Sequence, residues 1–179
     1  PTEYKISGTI ASSYNEGAKI YIKERIDREW ISVDSAEILN GSFAFQGVAD
    51  SARVVYLAFE NKDGDRFRKP FVLENGAISI AIDSLKQMTV SGTKQNELLS
   101  AYNTQKDAFY VKANDEFQKL SAEVAADSSK AESMNKRMEE IQKEDVAADI
   151  DFALKNANSI VGTFVFTTTF HGMSIDEKE

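Results

Sequence analysis

Cysteine is absent from these 179 residues, which removes disulfides, thiolate metal sites and thiol redox chemistry from the chain itself. Histidine occurs once, as His171, so a transition-metal site is not expected and no cofactor is implied. No apolar run approaches the roughly 20 residues that span a bilayer. Nor does a signal peptide open the chain, since Pro1-Thr2-Glu3-Tyr4 leads straight into a strand pattern, as in a mature or trimmed protein. A removed lipid anchor is then the one membrane attachment to expect. Basic clusters interleaved with aromatics are missing and the net charge is -8, which argues against a nucleic-acid partner. Gly-x-Gly-x-x-Gly, Walker-type and Gly-x-Ser-x-Gly motifs are all lacking, so nucleotide binding and an elbow-type nucleophile have no signal.

What is present changes rhythm near Gly92. Before it, short apolar runs alternate in period two and are broken by Asn15-Glu16-Gly17, Asn40-Gly41, Asp63-Gly64 and Asn75-Gly76. The spacing predicts strands at Tyr4–Ile10, Ala18–Ile22, Trp30–Ile38, Phe43–Phe45, Arg53–Phe59, Arg66–Leu73, Ile78–Ile82 and Met88–Ser91. The second should pair back on the first. In the third, either Ile31 and Val33 or Trp30 point inward; in the fifth, either Val55, Leu57 and Phe59 or Val54, Tyr56 and Ala58. Pro70 places its strand at an edge or a bulge.

After Gly92, Leu99, Tyr102, Phe109, Ala113, Phe117, Leu120 and Val124 recur at helical steps, and Met134, Met138, Ile141, Ala148 and Phe152 form a second stripe. Asp127-Ser128-Ser129 reads as the break between them, with Ser129 as N-cap. A third apolar element, Ile160–Phe170, carries the composition of a strand behind the cap of a helix at Ser159. Hairpins followed by helices make an α+β protein: an antiparallel β-sandwich or open barrel of about eight strands over 1–92, then a helical hairpin and a short third element over 93–179. The helical stripe must bury against something, with the β domain the default recipient.

Candidate sites are few. Asn61-Lys62-Asp63-Gly64-Asp65 has the oxygens of a calcium loop but not its spacing, because Gly64 stands fourth and Val72 twelfth. Ser159 and Ser174 lie near His171 in sequence without forming a triad pattern. Between Asp115 and Asp151 there are eleven acidic and five basic residues, so pairs such as Glu139-Glu140 and Glu144-Asp145 read as solvated helix surface. Trp30, Tyr21, Tyr56 and Phe67 are the candidate contact residues, an aromatic platform for sugar or peptide. An open sheet edge that accepts an extended segment is the other binding mode to expect. No catalytic, cofactor-binding or metal residue emerges.

Several segments together resemble a known family. Tyr4-Lys5-Ile6-Ser7-Gly8-Thr9-Ile10 with Ala18-Lys19-Ile20-Tyr21-Ile22, then Gly41-Ser42-Phe43-Ala44-Phe45-Gln46-Gly47, and Phe71-Val72-Leu73-Glu74-Asn75-Gly76 are similar to the opening, the G-x-F-x-F-x-G strand and the F-x-L-E-N-G hairpin of DUF4369. This is the N-terminal β domain of Bacteroidetes thiol–disulfide interchange proteins. Val90-Ser91-Gly92-Thr93, Asn96-Glu97-Leu98-Leu99 and Tyr102-Asn103 resemble its junction into helices, and Phe152–Ser159 resembles the stretch before a thioredoxin domain, with Ala157 where proline is usual. The resemblance implies an extracytoplasmic, often lipid-anchored, non-catalytic module. Its expected partner is a protein or a downstream thioredoxin-like domain bearing Cys-x-x-Cys, and homodimerisation through the helices is an alternative. It also favours a helix for the third element. A stand-alone lipoprotein module binding glycan or peptide is the competing expectation.

Overall fold

A computed structural model describes residues 1–11, 16–60 and 63–173. They form two compact units, Pro1–Ser100 and Ala101–Glu179.

The first unit is a two-sheet sandwich. Its strands are β1 (Tyr4–Ile10), β2 (Lys19–Ile26), β3 (Glu29–Glu37), β4 (Ser42–Gly47), β5 (Arg53–Glu60), β6 (Arg66–Leu73), β7 (Gly76–Ile82) and β8 (Met88–Ser91). One sheet, here sheet A, has the order β4-β1-β7-β8, and the other, sheet B, the order β3-β2-β5-β6. All pairs are antiparallel except β1 with β7. The core lies between the sheets. Tyr4, Ile6, Phe43, Phe45, Ile78 and Ile80 enter it from sheet A; Ile20, Ile22, Val55, Leu57, Phe67 and Phe71 enter it from sheet B. Period-two alternation is what lets each strand bury one face and leave the other free.

Two sequence expectations need correction. β2 does not pair back on β1, because the chain crosses to the other sheet between them; β2 pairs with β3 and β5. The connection from β6 through Asn75 to Gly76 is likewise a crossing between sheets, since β6 pairs with β5 in sheet B and β7 lies in sheet A. Of the turn residues, Asn15, Asn61 and Lys62 lie outside the described residues.

Local chemistry fixes the true hairpins. Asn40 and Gly41 both adopt left-handed φ, as the turn between Leu39 and Ser42 requires, and the Glu16 carboxylate accepts hydrogen bonds from both backbone N–H groups. The β2–β3 turn also uses two left-handed residues, Asp27 and Arg28, with no glycine to announce it in the sequence. A register shift follows Ile22 in β2, and beyond it β3 no longer feeds the core. Ile31 and Val33 stay 45% and 37% exposed, and Trp30 lies half-buried, so neither inward reading of that strand holds. In β5 the inward set is Val55, Leu57 and Phe59.

β6 is an edge strand, as Pro70 indicates. Pro70 and Val72 share the side of the backbone that faces away from β5. Pro70 has no N–H to lose there. Val72 is satisfied by Asn96, which accepts from its N–H at 2.8 Å and donates to its carbonyl at 2.8 Å. Ser100 donates to the Val90 carbonyl. These bonds place the first turns of α1 (Lys94–Ala126) in the sandwich unit, so the boundary falls between Ser100 and Ala101, inside a helix.

The second unit holds the rest of α1, α2 (Ala131–Lys155) and α3 (Ile160–Gly172). α1 and α2 are antiparallel. Glu116 meets Arg137 and Glu123 meets Lys130 near the turn, while Lys106 meets Asp145 and Tyr102 meets Asp149 further away. The turn is a short 3₁₀ segment, Ser128–Lys130, capped by the Asp127 side chain rather than by Ser129. α3 forms despite its strand-like composition. Ser159 caps it by accepting from the Gly162 N–H, and the hydroxyls of Thr163, Thr167 and Thr168 bond back to carbonyls of the preceding turn.

Candidate functional site

The outward face of sheet B follows from the register. Ile20 and Ile22 point in, so Tyr21 and Lys23 point out. Across the strands, Tyr21 sits opposite Ala58, and Ala58 opposite Arg68; Lys23 sits opposite Tyr56, and Arg25 opposite Trp30. The Trp30 indole extends from β3 over this face. Its centroid is 4.9 Å from the Tyr56 ring, edge to face. The Arg68 guanidinium lies 4.1 Å from the indole centroid and that of Arg25 lies 5.4 Å from it, while the Lys23 ammonium is 5.3 Å from the Tyr21 ring. Ala58 points to the same side yet is only 7% exposed, so larger neighbours close over it.

Three of the four candidate aromatics therefore meet on one face. Phe67 does not. Its parity is that of Phe71 and Leu73, it is 5% exposed, and it stacks on Phe59 in the core at 4.7 Å. Sequence reasoning also passed over the cations. Arg25 sits between the half-buried Glu24 and the exposed Ile26 and carried no signal. Lys23 and Arg68 each follow a buried residue, Ile22 and Phe67, and that alternation was the signal available for them. What it could not show was that Trp30 from a different strand would bring two of them together.

Neighbouring charges on the sheet are matched: Arg53 pairs with Glu24 at 3.1 Å and Arg66 with Glu60 at 3.4 Å. Among the described residues no carboxylate pairs with Lys23, Arg25 or Arg68. The face is a cluster of hydrogen-bond donors on aromatic supports. Sheet A presents a different outer surface, a shallow depression of about 530 Å³ lined by Ser7, Thr9, Ser42, Ser79 and Thr89, with small side chains and no charge.

The other polar cluster lies inside the helical unit. Asp149 accepts from Tyr102 at 3.0 Å, from Lys106 at 3.0 Å and from Thr169 at 3.3 Å, tying α1, α2 and α3 together. Lys106 also bonds Asp145 at 2.5 Å. Asp145 is thus an ion-paired residue rather than a solvated one, unlike what the acidic run leads one to expect. Burial and the Asp149 charge hold the Tyr102 phenol well above its ordinary range. Burial opposes the charge on Lys106, but the bonds to Asp145 and Asp149 outweigh it and raise its pKa. Each member is satisfied, which makes the cluster a structural pin.

His171 takes no part in either cluster. Its Nδ1 lies 2.7 Å from the Thr167 carbonyl, so that nitrogen carries the proton, and Ser159 is committed to capping α3. Ser174 is outside the described residues. Among the described residues no group of three His, Cys, Asp or Glu side chains could hold a metal ion, and no helix is long and apolar enough to cross a membrane.

Fold and face together define a β-sandwich domain with an aromatic–cationic surface, continued by a helical unit. The chain belongs to the DUF4369 family, described as a domain of unknown function, whose profile matches residues 4–99. No curated protein matches it. Two solved structures are similar at a low level. The CBM25-1 of the β/α-amylase from Paenibacillus polymyxa is 14% identical with a TM-score of 0.33, covering 52% of this chain and 95% of its own. A protein from Eubacterium rectale is 15% identical with a TM-score of 0.29, covering 52% and 90%.

Proposed function

We propose that this chain is a non-catalytic interaction module that serves an extracytoplasmic, thioredoxin-like thiol–disulfide oxidoreductase of the Bacteroidetes type. The observation that carries the reading is the outer face of sheet B. There Trp30, Tyr21 and Tyr56 support Lys23, Arg25 and Arg68, and the cations face solvent without carboxylate partners among the described residues. Membership of DUF4369 and the resemblance of residues 152–159 to the stretch before a thioredoxin domain support the redox setting. With no cysteine, the chain supplies no thiol step; it contributes contact and orientation. The same face supports a second reading, a stand-alone lipid-anchored module that binds glycan or peptide.

The deciding experiment reads the native gene beyond the codon for Glu179 and fractionates the native host. A thioredoxin-like frame with Cys-x-x-Cys and an envelope location are expected, and these 179 residues alone should reduce no insulin. A nearby stop codon would transfer the proposal to the stand-alone module. A cytoplasmic location would remove the oxidoreductase setting.

A further inference from the structure

We propose that the outer face of sheet B receives an acidic, extended peptide segment of a protein partner, with Arg25 and Arg68 holding its carboxylates beside the Trp30 indole. The inference rests on reading that face as a contact surface and specifies the chemistry of the partner.

Charge comes first. Residues 1–100 contain twelve basic and fourteen acidic residues, so the sandwich unit has no general surplus of positive charge. Arg53 and Arg66 have carboxylate partners, whereas Lys23, Arg25 and Arg68 have none among the described residues. Two guanidinium groups, 4.1 and 5.4 Å from one indole centroid, gather positive charge that no carboxylate among the described residues neutralises, and an oxyanion bound beside them supplies the counter-charge. Geometry points the same way. A guanidinium stacked on an aromatic ring keeps its in-plane N–H groups free, and their fork matches a carboxylate.

The rings themselves argue for peptide over sugar. The Trp30 ring is covered by Arg68 and flanked by Arg25, Tyr56 meets the indole edge to face, and Tyr21 carries Lys23. A neutral pyranose would have to displace those cations to stack. An extended peptide also finds a second contact nearby. β3 is the edge of sheet B opposite β6, and Ile31 and Val33 on it are exposed apolar side chains. A segment alternating acidic and apolar residues can offer carboxylates to the cations and apolar side chains to that edge.

Trp30 is the only tryptophan, so its fluorescence reports on the site directly. The full chain is titrated with a blocked peptide alternating glutamate and valine, and in parallel with polygalacturonate and with the lysine–valine counterpart peptide. The glutamate peptide should give a saturable emission change that weakens as salt rises. The double variant Arg25→Gln/Arg68→Gln should bind at least about tenfold more weakly, and Arg68→Lys should also lose affinity because the fork is gone. Circular dichroism of each variant checks that it is folded, and both positions are exposed. Absence of a saturable change, equal affinity in the folded double variant, or a response to polygalacturonate alone would each overturn the proposal. Such a failure together with a downstream Cys-x-x-Cys leaves the accessory-module reading in place and removes only the acidic segment.

Discussion

A single buried amide caps the β6 edge of sheet B at Val72. Asn96 is fully buried and takes the place of a strand neighbour for Val72, while its Nδ2 also donates to Thr93 Oγ1 at 2.8 Å. Asn96→Ala strands both backbone groups of Val72 and should cost about 2 kcal/mol in a denaturant melt. Asn96→Asp should cost at least as much, since a carboxylate accepts but cannot donate to the Val72 carbonyl. If Asn96→Asp were neutral, the amide would not be the edge cap. Gly8 is a second such position. A Cβ there would run into the Phe43 ring, which is buried in the core, so Gly8→Val should destabilise by about 1–3 kcal/mol. Thermal unfolding of the variant is the check.

At the scale of elements, turns and helix contacts decide stability. The β2–β3 hairpin bends through Asp27 and Arg28 in left-handed conformations that cost a non-glycine residue about 1 kcal/mol each. Arg28→Gly should therefore stabilise the protein by about 0.5–1 kcal/mol, with no change in the Trp30 emission maximum if the face is intact. In the helical unit, Lys106 is mostly buried between Asp145 and Asp149. Lys106→Met leaves the buried Asp149 and the half-buried Asp145 without their shared cation and should cost about 3 kcal/mol. Adding Asp149→Asn should recover part of that loss, and a double-mutant cycle measures the coupling. The polar pin explains how α1, with its weak stripe and exposed Phe117, Tyr110 and Val111, keeps a defined register against α2.

At the scale of the molecule, the same network makes stability depend on pH. Folding raises the pKa of Tyr102, so its contribution is complete below the unfolded tyrosine range near pH 10 and is lost as pH rises past it. Lys106 is raised as well and acts in the same direction. Helical circular dichroism should hold from neutral pH to about 10 and fall above it, while Tyr102→Phe should flatten the part due to the phenol. A Tyr102→Phe curve identical to the wild type would show that the phenol is not the linked group. Charge is also divided on this scale, with most of the excess of acid in residues 101–179 and, on the sandwich, cations that have no carboxylate partner among the described residues.

The strands and the first two helices were legible in the sequence because their periods are local: alternation of Ile6, Phe43 and Ile78 with small or polar neighbours sets which face is buried, whatever the partner. The G-x-F-x-F-x-G and F-x-L-E-N-G segments were legible too, and they placed the domain in its family. Partner choice was not legible. Whether β2 pairs with β1 or β3, and whether Asn75-Gly76 closes a hairpin or crosses between sheets, depends on which burial of both faces is cheapest for all eight strands at once. The candidate face shows the same division. Sequence located Trp30, Tyr21 and Tyr56, but it could not put Phe67 in the core or draw Arg25 and Arg68 to one indole. Composition and period determined how each segment buries its apolar atoms. Tertiary structure alone decided which charges were left without partners, because that depends on strands distant in sequence meeting across a sheet.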